Sequence, residues 1–184
     1  MKKILLTSTG FDNKNLGRIF VDNIGKPINT VRTLFIPTAA NDEESKSVLP
    51  FCREDLLNVG VCAENIVDFD LDRQMDIEEL MQFDAIYFCG GSETHLMRRV
   101  NESGFSSVLL KAIDNGLFYI GVSAGSMIVS SSVENNLGII KNPLEPHCES
   151  NITPCGKIPE NGEPLNISDN QGVWITDEVA MVVE

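Results

Sequence analysis

Apolar and polar positions alternate in blocks along this chain. Five short runs, KKILLTS (2–8), TLFIPTA (33–39), NIVDFDL (65–71), DAIYFCG (84–90) and LFYIGVS (117–123), are rich in Ile, Val, Phe and Tyr. Near-continuous apolar runs of this length predict strands buried on both faces. Between them, segments that open on polar residues carry apolar positions at helical spacing, over 15–23, 42–58, 77–82, 93–101 and 106–114. Gly25, Gly60, Gly104 and Gly116 stand where those helices should end, and Pro50 predicts that the second one starts late, kinks or breaks. Strand and helix alternating this often predict an α/β fold, with a largely parallel sheet covered on both faces.

From about Ser130 the pattern changes. Pro143, Pro146, Pro154, Pro159 and Pro164 are spread through Gly- and Asn-rich sequence, which predicts loop rather than helix. The last stretch, GVWITDEVAMVV, places two apolar runs around Asp177 and Glu178 and predicts a closing β-hairpin. There is no internal repeat, and 184 residues suit one compact domain over 1–184.

Composition narrows the function classes. A formal charge of −13, with no basic cluster beyond Arg98 and Arg99, argues against a nucleic-acid partner, because such a surface repels phosphates. The longest apolar stretches fall far short of the ~20 residues of a membrane span, and MKKILLTSTG has too short an apolar run for a secretory signal. A cytoplasmic protein without membrane association is therefore expected. Cys52, Cys62, Cys89, Cys148 and Cys155 form neither an even set nor a CxxC pair, which predicts reduced thiols and neither a disulfide framework nor a zinc site.

The candidate chemistry lies at strand ends. In open α/β sheets ligands bind outside the carboxyl ends of the strands, where Ser123, Gly90, Gly91 and the PTAA of 37–40 all fall. Gly121-Val122-Ser123-Ala124-Gly125 has the G-x-S-x-G form of a nucleophile elbow, set between a strand and a helix. A small residue in a tight turn would read the same way. A nucleophilic serine needs a base and oxyanion donors. Only two histidines exist: His95 at a helix start, and His147 in the loop NPLEPHCESN, the preferred base because loops on a rigid sheet carry catalytic side chains. Gly90 or Gly91, with the N–H of Ala124, supplies candidate oxyanion donors.

Taken in order, FIPTAA, YFCGGSETHLM, GVSAGSMI and PLEPHCESN resemble the dipeptidase E and cyanophycinase family of serine peptidases, peptidase family S51. The resemblance runs over most of the chain. It implies a three-layer α/β sandwich related to class I glutamine amidotransferases, with Ser123 as nucleophile in place of their cysteine. It also implies His147 as general base, Gly91 and Ala124 as the oxyanion hole, a small peptide as substrate, and neither metal nor organic cofactor. Two departures stand out. The stretch SNITPCGKIPENGEPLN is short and proline-bearing where relatives carry a charged helix, and alignment on Trp174 puts Gln171 where a glutamate is expected, with Asp169 two residues away. An extended segment would put both on one face, and the carboxylate of Asp169 is the expected partner of His147. All six arginines lie at or before Arg99, so specificity for an aspartyl side chain does not transfer. A non-catalytic binding protein and an amidase or acyl-transfer enzyme remain open as alternatives, as does the choice between monomer and homodimer.

Overall fold

The structure is a computed structural model that describes residues 1–184. Its main sheet has eight strands: β1 (Lys3–Thr7), β2 (Thr33–Ile36), β3 (Ile66–Asp68), β4 (Ala85–Phe88), β5 (Phe118–Val122), β7 (Gly156–Lys157), β9 (Gly172–Ile175) and β10 (Ala180–Val183). Their order is β3-β2-β4-β5-β1-β9-β10-β7. The first five are mutually parallel, with Ile4 opposite Tyr119 and Tyr87 opposite Ile120. The antiparallel pair β9 and β10 is the expected closing hairpin, and it docks through β9 onto β1.

Both faces of the sheet are buried along β1, β2, β4 and β5, which explains their near-continuous apolar runs. Ile4, Leu34, Ile36, Ile86, Phe88 and Tyr119 face one apolar cluster, and their chain neighbours Leu5, Phe35, Tyr87, Phe118 and Ile120 face the other. On the second face pack α1 (Lys14–Asn23) and α3 (Leu49–Asn58), through Leu16, Phe20 and Leu56. On the first pack α4 (Ile77–Leu80), α5 (Glu93–Glu102), α6 (Phe105–Asp114) and α7 (Ala124–Met127). The result is the three-layer α/β arrangement anticipated from the sequence.

The helix expected over 42–58 breaks at Val48 into α2 (Glu43–Ser47) and α3. Pro50 sits in the first turn of α3, where its missing N–H costs no intrahelical bond. The segment after Ser130 is helix-free, as expected, yet it is more than loop. It contributes β7 to the sheet edge and a separate parallel pair, β6 (Leu144–Glu145) with β8 (Leu165–Asn166). Strands two residues long are too short to leave a periodic pattern in the sequence.

Candidate active site

Ser123 follows β5 directly and opens α7 with φ 47° and ψ −106°, a strained conformation for a residue with a side chain. The flanking glycines are obligatory. A Cβ on Gly121 would stand 2.5 Å from the Gly125 carbonyl oxygen, and one on Gly125 would stand 2.6 Å from Phe88 Cβ and 2.7 Å from its carbonyl oxygen. The turn is pinned from below. The fully buried Ser126 hydroxyl accepts from Thr7 N–H at 2.9 Å and lies 2.8 Å from both the Thr7 and Gly121 carbonyls, while Tyr119 donates its hydroxyl to the Gly125 carbonyl at 2.6 Å. A fixed backbone therefore presents Ser123 at the end of the sheet.

His147 and Asp169 arrive from the β6 and β8 ribbon. Leu144 pairs with Leu165, Ile167 N–H donates to the Glu145 carbonyl and Cys148 N–H to the Ile167 carbonyl, so the two following loops run side by side. His147, also at positive φ (59°), places Nε2 3.0 Å from Ser123 Oγ and Nδ1 2.6 Å from Asp169 Oδ1. The loop after β1 seats both. Ser8 Oγ accepts from His147 N–H at 3.1 Å and lies 3.1 Å from the Ser168 carbonyl, and Thr9 Oγ1 donates to the Asp169 carbonyl at 2.9 Å. The side chains of His147 and Asp169 remain 47% and 61% exposed, so hydrogen bonds rather than burial hold them.

Gly90 and Gly91 border the serine as the strand-end rule anticipates. Gly91 has φ 137°, and a Cβ there would lie 2.2 Å from the Ala39 carbonyl oxygen, so only glycine fits against the PTAA turn. Gly90 N–H is engaged by the Cys52 sulfur, whereas the Gly91 amide has no backbone acceptor within the chain and Ala124 N–H belongs to the first turn of α7, where amides have no intrahelical acceptor. The latter two donors are available for a substrate oxygen.

Ser123, His147, Gly90 and Gly91 open on a cleft of about 540 Å³. Val48, Phe51 and Val122 give it an apolar wall, and Asp12, Asp42, Glu44 and Asp55 give it carboxylates, with no lysine or arginine in the lining. Burial pushes the Asp55 carboxyl up to about 6. The thiol of Cys52, beside it, is pulled below its ordinary range by a hydrogen bond with Cys89. No group of histidine, cysteine and carboxylate side chains is arranged to hold a metal ion.

Gln171 and His95 are elsewhere. The segment before Gln171 is a turn, with Gln171 N–H donating to the Ser168 carbonyl, so the expectation that 169 and 171 share a face is corrected. The turn sends Asp169 outward to His147 and Gln171 inward, where its amide accepts from Ser168 N–H and donates to the Thr153 carbonyl. His95 lies on α5, with Nδ1 3.1 Å from Arg98 Nη2. Sequence reasoning passed over Ser8, Thr9 and Ser126. The polar TSTG at 7–10, ending a predicted strand on the same rim, was the signal that would have found the first two.

An α/β sheet with a strained serine at a strand end and a histidine hydrogen-bonded to it is an arrangement suited to nucleophilic chemistry. The chain belongs to peptidase family S51, whose model matches residues 4–151, a span that contains Ser123 and His147 and stops short of Asp169. An uncharacterized peptidase of Pasteurella multocida is 30% identical over 135 residues, 73% of this chain and 63% of that protein. One of Listeria monocytogenes is 31% identical over 135 residues, 72% of this chain and again 63% of the relative, so the chain spans under two thirds of these relatives' length. Among solved structures, a candidate peptidase E protein from Listeria monocytogenes EGD-e superposes with a TM-score of 0.79 at 20% identity, covering 100% of this chain and 98% of that one. A peptidase from an acI-B1 actinobacterium gives 0.70 at 20% identity, over 100% and 87%. The chain therefore has the peptidase E fold, and no helix in it is long and apolar enough to cross a membrane.

Proposed function

We propose that this protein is a serine peptidase acting on small peptides, of the dipeptidase E kind. The observation that carries the reading is the unbroken path from Ser123 Oγ through His147 to Asp169, at 3.0 and 2.6 Å, facing a cleft. Distances in this range suit proton transfer between nucleophile and base. Ser123 Oγ attacks the scissile carbonyl as His147 Nε2 takes its proton, and the same nitrogen then returns that proton to the leaving amine. Asp169 accepts the Nδ1 hydrogen, which fixes the tautomer and stabilises the imidazolium. The N–H groups of Gly91 and Ala124 receive the oxyanion. Water, activated by His147, then releases the acyl group.

The cleft supports a substrate preference. About 540 Å³ is room for a short peptide. Its lining of carboxylates without a cation repels an acidic side chain, while Val48 and Phe51 offer apolar contact. Neutral and cationic peptides are the favoured substrates.

The test combines a fluorophosphonate probe with a panel of dipeptides and simple amides. Labelling is expected at Ser123, absent in Ser123→Ala and strongly reduced in His147→Ala, with lysyl and leucyl peptides turned over faster than aspartyl ones. Equal labelling of the wild type and Ser123→Ala refutes the serine mechanism. Turnover of amides in preference to every peptide reassigns the chain to amidase chemistry.

A further inference from the structure

The loop after β1, residues 8–13, meets the functional residues on one side and α3 on the other. On the first side Ser8 and Thr9 hold the His147 and Asp169 loops, and Asn13 Nδ2 donates to the Asn170 carbonyl at 2.8 Å. On the second, Asp55 of α3 reaches over with Oδ2, which accepts from Phe11 N–H at 3.0 Å and from the Tyr87 hydroxyl at 2.6 Å. Contact is tight enough to exclude any side chain at Gly10, whose Cβ would fall 1.9 Å from Asp55 Oδ2 and 2.8 Å from Tyr87 Oη. Gly10 N–H is in turn held by Thr7 Oγ1 at 3.0 Å, which lies 3.2 Å from the Gly121 carbonyl of the elbow. One carboxylate oxygen thus closes a chain of contacts that runs from the floor of the cleft to both halves of the site.

We infer that Asp55, as a carboxylate, is a positioning residue: it clamps the turn at residues 8–13 that seats His147 and Asp169 against Ser123. Hydrogen bonds to an ionised acceptor are roughly twice as strong as neutral ones, so the clamp tightens when Asp55 is charged and slackens when it is protonated. The groups around it do not neutralise it. Tyr87 faces it from β4, held well above its ordinary range by burial; Cys52 and Glu54 lie on its own helix, and Asp12 on the loop. Lys14 and Arg18 of α1 line a second groove that Asp55 also borders, and neither is among the groups that shift it. Burial is the main reason that its carboxyl titrates at about 6 rather than near 3.8.

The sign of the stability effect follows. A carboxyl whose folded value is raised stabilises the fold fully below 3.8 and loses that contribution as the pH rises through about 6. The charged form that organises the loop is therefore the form that burial disfavours. A residue that merely supports the fold would lose activity and stability together on substitution; Asp55 should separate them.

The experiment compares the wild type with Asp55→Asn and Tyr87→Phe, reading three quantities: the rate of fluorophosphonate labelling against pH, the thermal midpoint, and amide exchange at Phe11 and His147 by NMR. The rate arm rests on the serine-peptidase reading; the exchange arm does not. At about pH 8 the wild type should label about tenfold faster than Asp55→Asn, and the two rates should converge near pH 5, a ratio in which the titration common to both proteins cancels. Asp55→Asn should exchange faster at both amides while melting no lower than the wild type at about pH 8. Because the Tyr87 hydrogen bond lowers the Asp55 value, Tyr87→Phe should move the convergence to higher pH. A rate ratio independent of pH, or unchanged exchange at Phe11 and His147, overturns the inference. A wild type that does not label refutes the serine mechanism alone, and the exchange data then decide the role of Asp55.

Discussion

The two halves of the site are built on different principles. The serine turn is carved out of the core: Gly121, Gly125 and Ser126 are buried, and a Cβ at either glycine collides with the Gly125 backbone or with Phe88. The histidine half lies in an exposed ribbon of two-residue strands, and its alignment depends on a few hydrogen bonds from Ser8, Thr9 and Gln171. Strain at Ser123 is sustained by packing, since sparsely populated backbone conformations cost of order 1–3 kcal/mol and persist only where their surroundings over-determine them. Strain at His147, which shares the positive φ, is sustained by polar contacts. The placement of Ser123 is a property of the core, whereas that of His147 is a property of its loop contacts.

The largest expected effect separates chemistry from support within the ribbon. Asp169→Asn keeps the shape and removes the charge beside His147, so under the proposed serine mechanism kcat should fall by about 10²–10⁴ with the thermal midpoint nearly unchanged. Gln171→Ala does the reverse. It leaves Ser168 N–H and the Thr153 carbonyl without their partners, costing about 1–3 kcal/mol of stability, and should reduce kcat far less. Should Asp169→Asn keep full turnover while Gln171→Glu raises it, the orienting role passes to position 171.

At the serine turn the expected effect is on folding. Gly125→Ala drives a methyl group into Phe88 and should cost about 1–3 kcal/mol in chemical denaturation, with activity lost in the same variant. If Gly125→Ala proves as stable as the wild type, the turn is not held by the core and the contrast drawn above fails. Smallest of all, Ser8→Ala removes the acceptor of His147 N–H from the histidine half. It should lower kcat by about tenfold and stability by about 1 kcal/mol, with the rate of denaturation of the elbow unaffected.

Much of this was legible along the chain, and the unread parts have identifiable causes. Four of the five parallel strands announced themselves because burial on two faces leaves unbroken apolar runs, the edge strand β3 burying only Ile66, and Gly25, Gly60 and Gly116 ended helices through positive φ as read. Gly104 did more than expected, since it both follows α5 and precedes α6. The serine turn was readable because its demands are local: five consecutive residues carry the small side chains that a strand-to-helix corner needs. The ribbon was not. Its strands are two residues long, and the register that puts Leu144 opposite Leu165 joins positions far apart in the chain.

By itself, then, the sequence determined the layered α/β architecture, the closing hairpin and the place of Ser123, all of which follow from burial pattern and local backbone sterics. The sequence favoured Asp169 over Gln171 as the partner of His147 by its charge, but only tertiary structure separated the two positions. A turn at 168–171 sends Asp169 and Gln171 in opposite directions, and no periodicity encodes a turn held by a side chain's own amide. It alone also decided that Asp55 lies under the 8–13 loop. That meeting joins a helix and a loop 44 positions apart through a single hydrogen bond, and contacts of such separation are set by how the layers pack, not by any pattern along the chain.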